Sequence, residues 1–280
     1  MEIIKQLTKA INYMEENLLE GITYHDAADH VYMSSFHFHR TFKILTGFTP
    51  NEYIRNRRLS KAGEEITLCD LSILDLAMKY QYDSLEGFSK AFTRFHKISP
   101  LKAKQGDVKL KTFHPLKINI SFEGGKSMDY KVVSLEPFYL LAKNKKFVFD
   151  TEINLIPGFW DEQIKDGLFE KLANYSTEPG IYGACHQVDK KSNKFDYGIG
   201  VKVDKKLNVE GLDVWEVNNP LWAVFECKSA EHIGKVWEVI LKEFFVNSNY
   251  ERVEDLDFEL YDDKNPNIFC ELYVPIRKTK

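Results

Sequence analysis

Near the C-terminal end of the chain, Phe269, Glu271 and Tyr273 occupy alternate positions of the run Ile268 to Val274. In an extended strand successive side chains point to opposite faces. The spacing therefore sets a carboxylate between two aromatic rings on one face, with Ile268, Cys270, Leu272 and Val274 on the other. Ring faces combined with a carboxylate suit a ligand that is both apolar and cationic. The aliphatic face is expected to pack on helices and to leave Glu271 in a groove. Glu226 in AVFECK shares a strand face with Trp222 and Val224 and is a second carboxylate of this kind. Trp160, Tyr182 and Tyr197 are candidates for the lining, as is Trp237, although Trp160 and Trp237 hold matching helix positions that core packing also explains.

A second set of residues could address a polyanion. Phe38, Phe42 and Leu45 are spaced i, i+4, i+7, as are Phe88, Phe92 and Phe95, so each triplet marks the inner face of a helix. Helical geometry then turns Phe36, His39, Arg40 and Lys43 outward in one helix, and Glu86, Ser89, Lys90 and Thr93 outward in the other. Ser34 or Ser35, and Asp83 or Ser84, can cap these helices, and a helix N-terminus is suited to a phosphate. His37 and His39, about 200° apart on a helix, cannot share a metal ion. Cysteines stand singly at Cys69, Cys185, Cys227 and Cys270 without metal or redox spacing, so neither a metal nor a cofactor is expected. Ser-His-Asp and Cys-His constellations are also missing, and an enzyme is not the expectation.

Internal repetition positions these residues. Phe38, Phe42 and Pro50 recur 50 positions later as Phe88, Phe92 and Pro100, and Ser34 recurs as Ser84. Each marked helix follows a shorter one with small residues, Ala27-Ala28 or Ala77, across a turn of about three or four residues, which is the helix-turn-helix pattern. Between the copies lies PNEYIRNRRLSKAGEEI, a helix opened by Pro50. The net charge of −4 divides unevenly: residues 1–117 hold 17 basic against 14 acidic side chains, and residues 118–280 hold 21 against 28. A mildly basic front half and an acidic back half suit a nucleic-acid reader joined to something that does not touch nucleic acid.

The first hundred or so residues resemble the AraC/XylS transcription regulators. The connecting helix carries their pattern as Pro50, Tyr53, Ile54, Arg57, Arg58, Leu59 and Ala62. The second unit closes on it with Phe88, Ser89, Lys90, Ala91, Phe92, Ile98, Ser99 and Pro100. Two departures stand out: the turn glycine is replaced by Tyr32 and Gln81, and Gly47 has Lys97 as its counterpart, which implies slightly altered turns. The resemblance implies double-stranded DNA as partner, with RNA polymerase. It implies that Phe36, His39 and Arg40, after the cap at Ser35, read bases in one recognition helix and Leu85, Glu86, Ser89 and Lys90 in the other. Lys43, Arg58 and Arg94 are assigned to phosphates.

The back half is duplicated too. DYKVVSLEPFYLLA aligns with LDVWEVNNPLWAVF, Pro137 on Pro220 and Tyr139 on Trp222, each a strand pair around a proline turn. A helix with Trp160 or Trp237 follows each, and then two strands. Two β-β-α-β-β halves imply a pseudo-twofold module whose helices cover one face of a sheet and leave a groove on the other. Residues 128–280 resemble the GyrI-like effector domains, through the segment around Gly124-Gly125 and the ending ELYVPI. In that family a glutamate in the last strand meets the ligand, the role Glu271 would take.

The expectation is a multidomain chain: an all-α tandem helix-turn-helix domain over 1–106, a linker over 107–127 with a strand-like KINISF, and an α+β domain over 128–280. Its function is that of a cytoplasmic, ligand-responsive DNA-binding regulator without a membrane span, monomer or homodimer, whose small-molecule effector is cationic or amphipathic. The alternatives are a GyrI-like hydrolase with Glu271 and Tyr273 as acid/base pair, and an architectural DNA binder with a protein-docking back domain.

Overall fold

A computed structural model describes residues 2–68, 70–118, 129–148, 155–186, 194–262 and 266–279. The Gly124-Gly125 break, most of KINISF and Cys69 lie outside these residues. The chain divides into two compact units: Ile4–Met33 with Phe42–Ser121, and Met1–Ile3 with Ser34–Thr41 and Phe122–Lys280.

Among the described residues, the first part of the chain forms the helices α1 (Glu2–Glu16), α2 (Tyr24–His30), α3 (Ser35–Thr46), α4 (Pro50–Ile66), α5 (Ile73–Lys79), α6 (Leu85–His96) and α7 (Pro100–Lys104). Their starts are set by local chemistry. Ser34 Oγ accepts from the His37 amide and Ser84 Oγ from the Gly87 amide, so the two repeated serines cap α3 and α6. Thr49 and Glu52 close a capping box ahead of Pro50. Phe88, Phe92 and Phe95 bury the inner face of α6 in a cluster with Leu59, Leu76 and Tyr80. Beneath α4, Arg57 Nε lies 2.8 Å from Glu15 Oε1, which also accepts from Tyr53 at 2.7 Å.

The turns keep the left-handed backbone that the missing glycines would have supplied. Tyr32, Gln81 and Lys97 have φ of 58°, 64° and 64°, beside 80° at Gly47. The altered turn geometry expected from the sequence is thus not seen. Each non-glycine residue accepts the left-handed region instead, at roughly 1–2 kcal/mol.

The second part of the chain is built on one antiparallel sheet. Its strands are β1 (Lys131–Ser134), β2 (Phe138–Val148), β3 (Ile181–His186), β4 (Lys194–Val203), β5 (Asp213–Val217), β6 (Leu221–Cys227), β7 (Tyr250–Arg252), β8 (Asp257–Tyr261) and β9 (Cys270–Lys278). Helices α8 (Ile156–Lys165) and α9 (Leu168–Ala173) separate β2 from β3, and α10 (Ile233–Val239), continued by a π turn, follows β6. The sheet order is β1, β6, β9, β8, β3, β4, β2, β5, with β7 beside β9. Exchanging the two halves of the sequence reverses this order onto itself, which is the pseudo-twofold.

Two expectations need correction. The strands flanking Pro137 and Pro220 do not form hairpins. β1 pairs with β6 and β5 with β2, so each half lends its first strand to the other. The face opposite the helices, where a groove was expected, is among the described residues packed with a cluster containing Phe138, Tyr182, Trp222 and Phe258. The polar cluster of this unit lies on the helix side, where Phe159 of α8 and Leu168 and Leu172 of α9 pack with Phe195, Tyr197 and Ile199 of β4.

Candidate functional site: a carboxylate strip and two recognition helices

Along β8, Asp257, Glu259 and Tyr261 alternate onto one face, away from Phe258. Glu259 is the centre of a polar-aromatic group. Tyr197 Oη donates to Glu259 Oε2 at 2.8 Å, Tyr261 Oη to the same oxygen at 3.3 Å, and Trp160 Nε1 to Tyr197 Oη at 3.0 Å. Gly183 of β3 is the register partner of Glu259. A methyl there would overlap the Tyr197 hydroxyl and come within 2.7 Å of Glu259 Oε2 and 3.0 Å of the Trp160 ring. The glycine is what lets three side chains from α8, β4 and β8 converge. Burial pushes the Glu259 carboxyl up to about 7, helped by the charge of Asp257 and opposed by the Tyr197 hydrogen bond.

Asp257 lies in an ionic cluster with residues of the same compact unit from α3. Arg40 Nη1 is 3.3 Å from Asp257 Oδ1, and Arg252 Nη2 also donates to this carboxylate. His37 bonds Glu254 through Nδ1 at 2.8 Å and takes a hydrogen bond from Arg252 at Nε2, so Nδ1 carries the proton. The Ser34 amide donates to Glu254 Oε2 at 2.9 Å. The Asp257 carboxyl is held well below the usual carboxylate range. Burial opposes this, and Arg40 and Arg252 outweigh it. Burial depresses the Arg252 guanidinium, whose Nε and Nη1 have no hydrogen-bond partner among the described residues. Each such buried group costs about 1–3 kcal/mol.

The sequence-derived ligand residues do not gather in one place. Trp160 and Tyr197 stand at Glu259. Glu271 and Glu226, register partners on β9 and β6, share the exposed Lys131 at 3.5 and 3.3 Å, an arrangement worth little in water. Tyr273 Oη donates to Glu271 at 3.1 Å while its ring stacks on Phe258. Tyr182 donates to Glu178 at 2.6 Å, and Trp222 donates to the Asn219 carbonyl from within the opposite face's cluster. Phe269 is exposed. The alternation read in β9 is as expected, with Cys270, Leu272 and Val274 buried. Glu259, Asp257, Tyr261 and Gly183 are residues that sequence reasoning missed. The available signal was the row of polar side chains at every second position of DFELY.

The DNA-directed residues also divide. Leu85, Glu86, Lys90 and Arg94 of α6 are exposed and Ser89 is half-buried. In α3, Ser35, Phe36 and His39 are buried, Arg40 is nearly so, and Lys43 is exposed. Arg58 donates to the Leu18 carbonyl at 2.8 Å and to the Glu20 carbonyl at 2.7 Å, so its guanidinium holds the α1–α2 connection.

Comparison with known proteins agrees with both parts. Residues 27–106 match the model of a helix-turn-helix domain, and residues 140–276 that of the integron-associated effector binding protein. The transcriptional activator AarP of Providencia stuartii is 34% identical over 94 residues, which are 34% of this chain and 70% of that protein. The TetD protein of transposon Tn10 from Escherichia coli is 39% identical over 88 residues, 31% of this chain and 64% of the other. A solved structure of SAV2435 bound to tetraphenylphosphonium has a TM-score of 0.47 and 21% identity, covering 54% of this chain and 94% of that one. Two capped helix-turn-helix units 50 residues apart, matched across most of AarP, make this chain a member of the AraC family of DNA-binding transcription regulators, here followed by a GyrI-like effector-binding domain.

Proposed function

We propose that the chain regulates transcription in response to a lipophilic cation taken up beside Glu259. The carrying observation is a half-buried carboxylate ringed by Tyr197, Tyr261 and Trp160, which Gly183 allows to converge. A cation entering there exchanges water for ring faces and a negative charge, both of which gain strength away from solvent. On the DNA side, Leu85, Glu86, Ser89 and Lys90 read base edges, and Arg94 and Lys43 contact phosphates. Phe36, His39 and Arg40 read a second major-groove segment when α3 is free to do so. The regulator acts on duplex DNA with RNA polymerase, in the cytoplasm.

Calorimetric titration of the full chain with tetraphenylphosphonium tests the ligand claim. Binding is expected, and Glu259→Gln weakens it at least about tenfold. Affinity rises as pH goes from 6 to 8, because a carboxyl titrating at about 7 is largely neutral at the lower pH and ionised at the higher one, and the cation prefers the ionised form. In Glu259→Gln that pH dependence disappears. A pH-independent affinity in the wild type, or an affinity indifferent to Glu259→Gln, overturns the assignment. Chemical turnover of the bound compound, lost in Glu259→Gln, would make the unit an enzyme instead.

A further inference from the structure

Segment Ser34–Thr41 belongs to the same compact unit as the sheet, and the way it sits there has a chemical pattern. The Arg40 guanidinium carbon lies 4.1 Å from the Phe36 ring centroid and 4.3 Å from that of Trp237. Its Nη1 reaches both Asp257 oxygens, at 3.3 and 3.4 Å, and its Nη2 lies 3.7 Å from Cys185 Sγ. A planar cation is thus held between two aromatic rings against a buried carboxylate, on the strand face that also carries Glu259 two residues on. This is the chemistry of a site for an apolar cation, met by a side chain of the protein itself. Phe36 adds the apolar part by packing with Phe195 at 5.1 Å between centroids.

We infer that Arg40 and Phe36 are an internal occupant of the cation site, so that an external lipophilic cation and the seated first recognition helix compete for one place. The inference rests on the reading of Glu259 as a cation-binding carboxylate and adds its regulation. Residues held in the sheet unit cannot reach a base edge. A ligand that binds only when Arg40 has left therefore favours the state in which α3 can read DNA, and by linkage DNA engaged by α3 raises the affinity for the cation. In the second recognition helix, Lys90, at the position matching Arg40, instead pairs with Glu86 of its own helix at 2.7 Å in solvent. The ligand then adds a second major-groove contact to one already available.

Two measurements on the full chain test this. The first is modification by phenylglyoxal, a guanidinium reagent, mapped by peptide mass spectrometry with exposed Arg55 and Arg94 as internal references. Without ligand, Arg40 is expected to react at least tenfold more slowly than Arg55, and saturating tetraphenylphosphonium is expected to remove most of that difference while Arg94 stays unchanged. Arg40 reacting as fast as Arg55 without ligand, or staying protected when the cation is bound, overturns the inference. The second is titration of Arg40→Ala and of Arg40→Met, the latter keeping bulk in the seat should the smaller residue fail to fold. Both should bind tetraphenylphosphonium at least tenfold more tightly than the wild type, because no internal cation has to leave. Equal affinity overturns the competition. Binding to none of the three chains defeats the cation reading of the site and the competition with it, while the unliganded reactivity of Arg40 still decides whether the helix is sequestered.

Discussion

The two recognition helices began as copies and now live in opposite surroundings. At positions 50 apart, α3 places Phe36, His39 and Arg40 where α6 places Glu86, Ser89 and Lys90. The Arg40 side chain is 13% exposed and its partner Asp257 5%, whereas Lys90 and Glu86 are 71% and 77% exposed. One ion pair is within hydrogen-bond reach of a buried carboxylate shared by two guanidiniums; the other is an i, i+4 pair in water. The helical scaffold is the same in both, down to the serine cap. The difference teaches that helical phase decides which side chains leave a helix, while the chemistry of those side chains decides what they meet.

That contrast can be broken most severely at Asp257. Asp257→Ala strands two buried guanidiniums, and a loss of about 3–5 kcal/mol is expected. Glu86→Ala should stay within about 0.5 kcal/mol. All four tryptophans lie in residues 160–237, so denaturant unfolding followed by their fluorescence reports on the sheet unit that Asp257 supports. Equal, small effects would dissolve the distinction between the helices.

On DNA selected from random duplexes, the exposed helix should dominate. Lys90→Ala is expected to relax preference at one base pair by about 1–3 kcal/mol, whereas Arg94→Ala weakens all sequences alike and lowers the salt slope by about one. Selection profiles and salt titrations of the two variants would expose an error if both behaved alike.

The smallest expected effects sharpen the comparison at the helix ends. Gly47 and Lys97 close equivalent turns with φ of 80° and 64°. A Cβ on Gly47 meets nothing within 4 Å, so Gly47→Ala costs backbone strain alone, about 1 kcal/mol. Lys97→Gly relieves the same strain in the other copy and gains up to about 1 kcal/mol, part of the relief being lost to the freer unfolded chain. Thermal unfolding should move in opposite directions for the two substitutions.

Much of the helical part was legible because its signals are local. Phe38/Phe42 and Phe88/Phe92 show helical phase directly, and Ser34 and Ser84 cap through bonds three residues long. The sheet was half legible. Alternation in β9 placed Cys270, Leu272 and Val274 inside, and the match of Pro137 with Pro220 revealed the duplication. Strand exchange was not legible, since a strand on each side of a proline reads as a hairpin whether or not the two pair. Glu259 was hidden for a related reason: DFELYDD looks like an ordinary amphipathic strand, and its meaning comes from Gly183, Tyr197 and Trp160, contributed by three distant segments. The burial of Phe36 and Arg40 was invisible because helical periodicity turns them outward and stops there.

The exchange of first strands also orders events during synthesis. Lys131 finds its partner Val224 only after 93 further residues have been made, and the β8 strip that holds Asp257 comes later still. Pairings of such separation form slowly, after local helices have already settled. On the ribosome, therefore, α3 emerges and folds long before its seat exists. If that seat restrains α3 as inferred, the newborn chain carries the helix unrestrained until the last strands close.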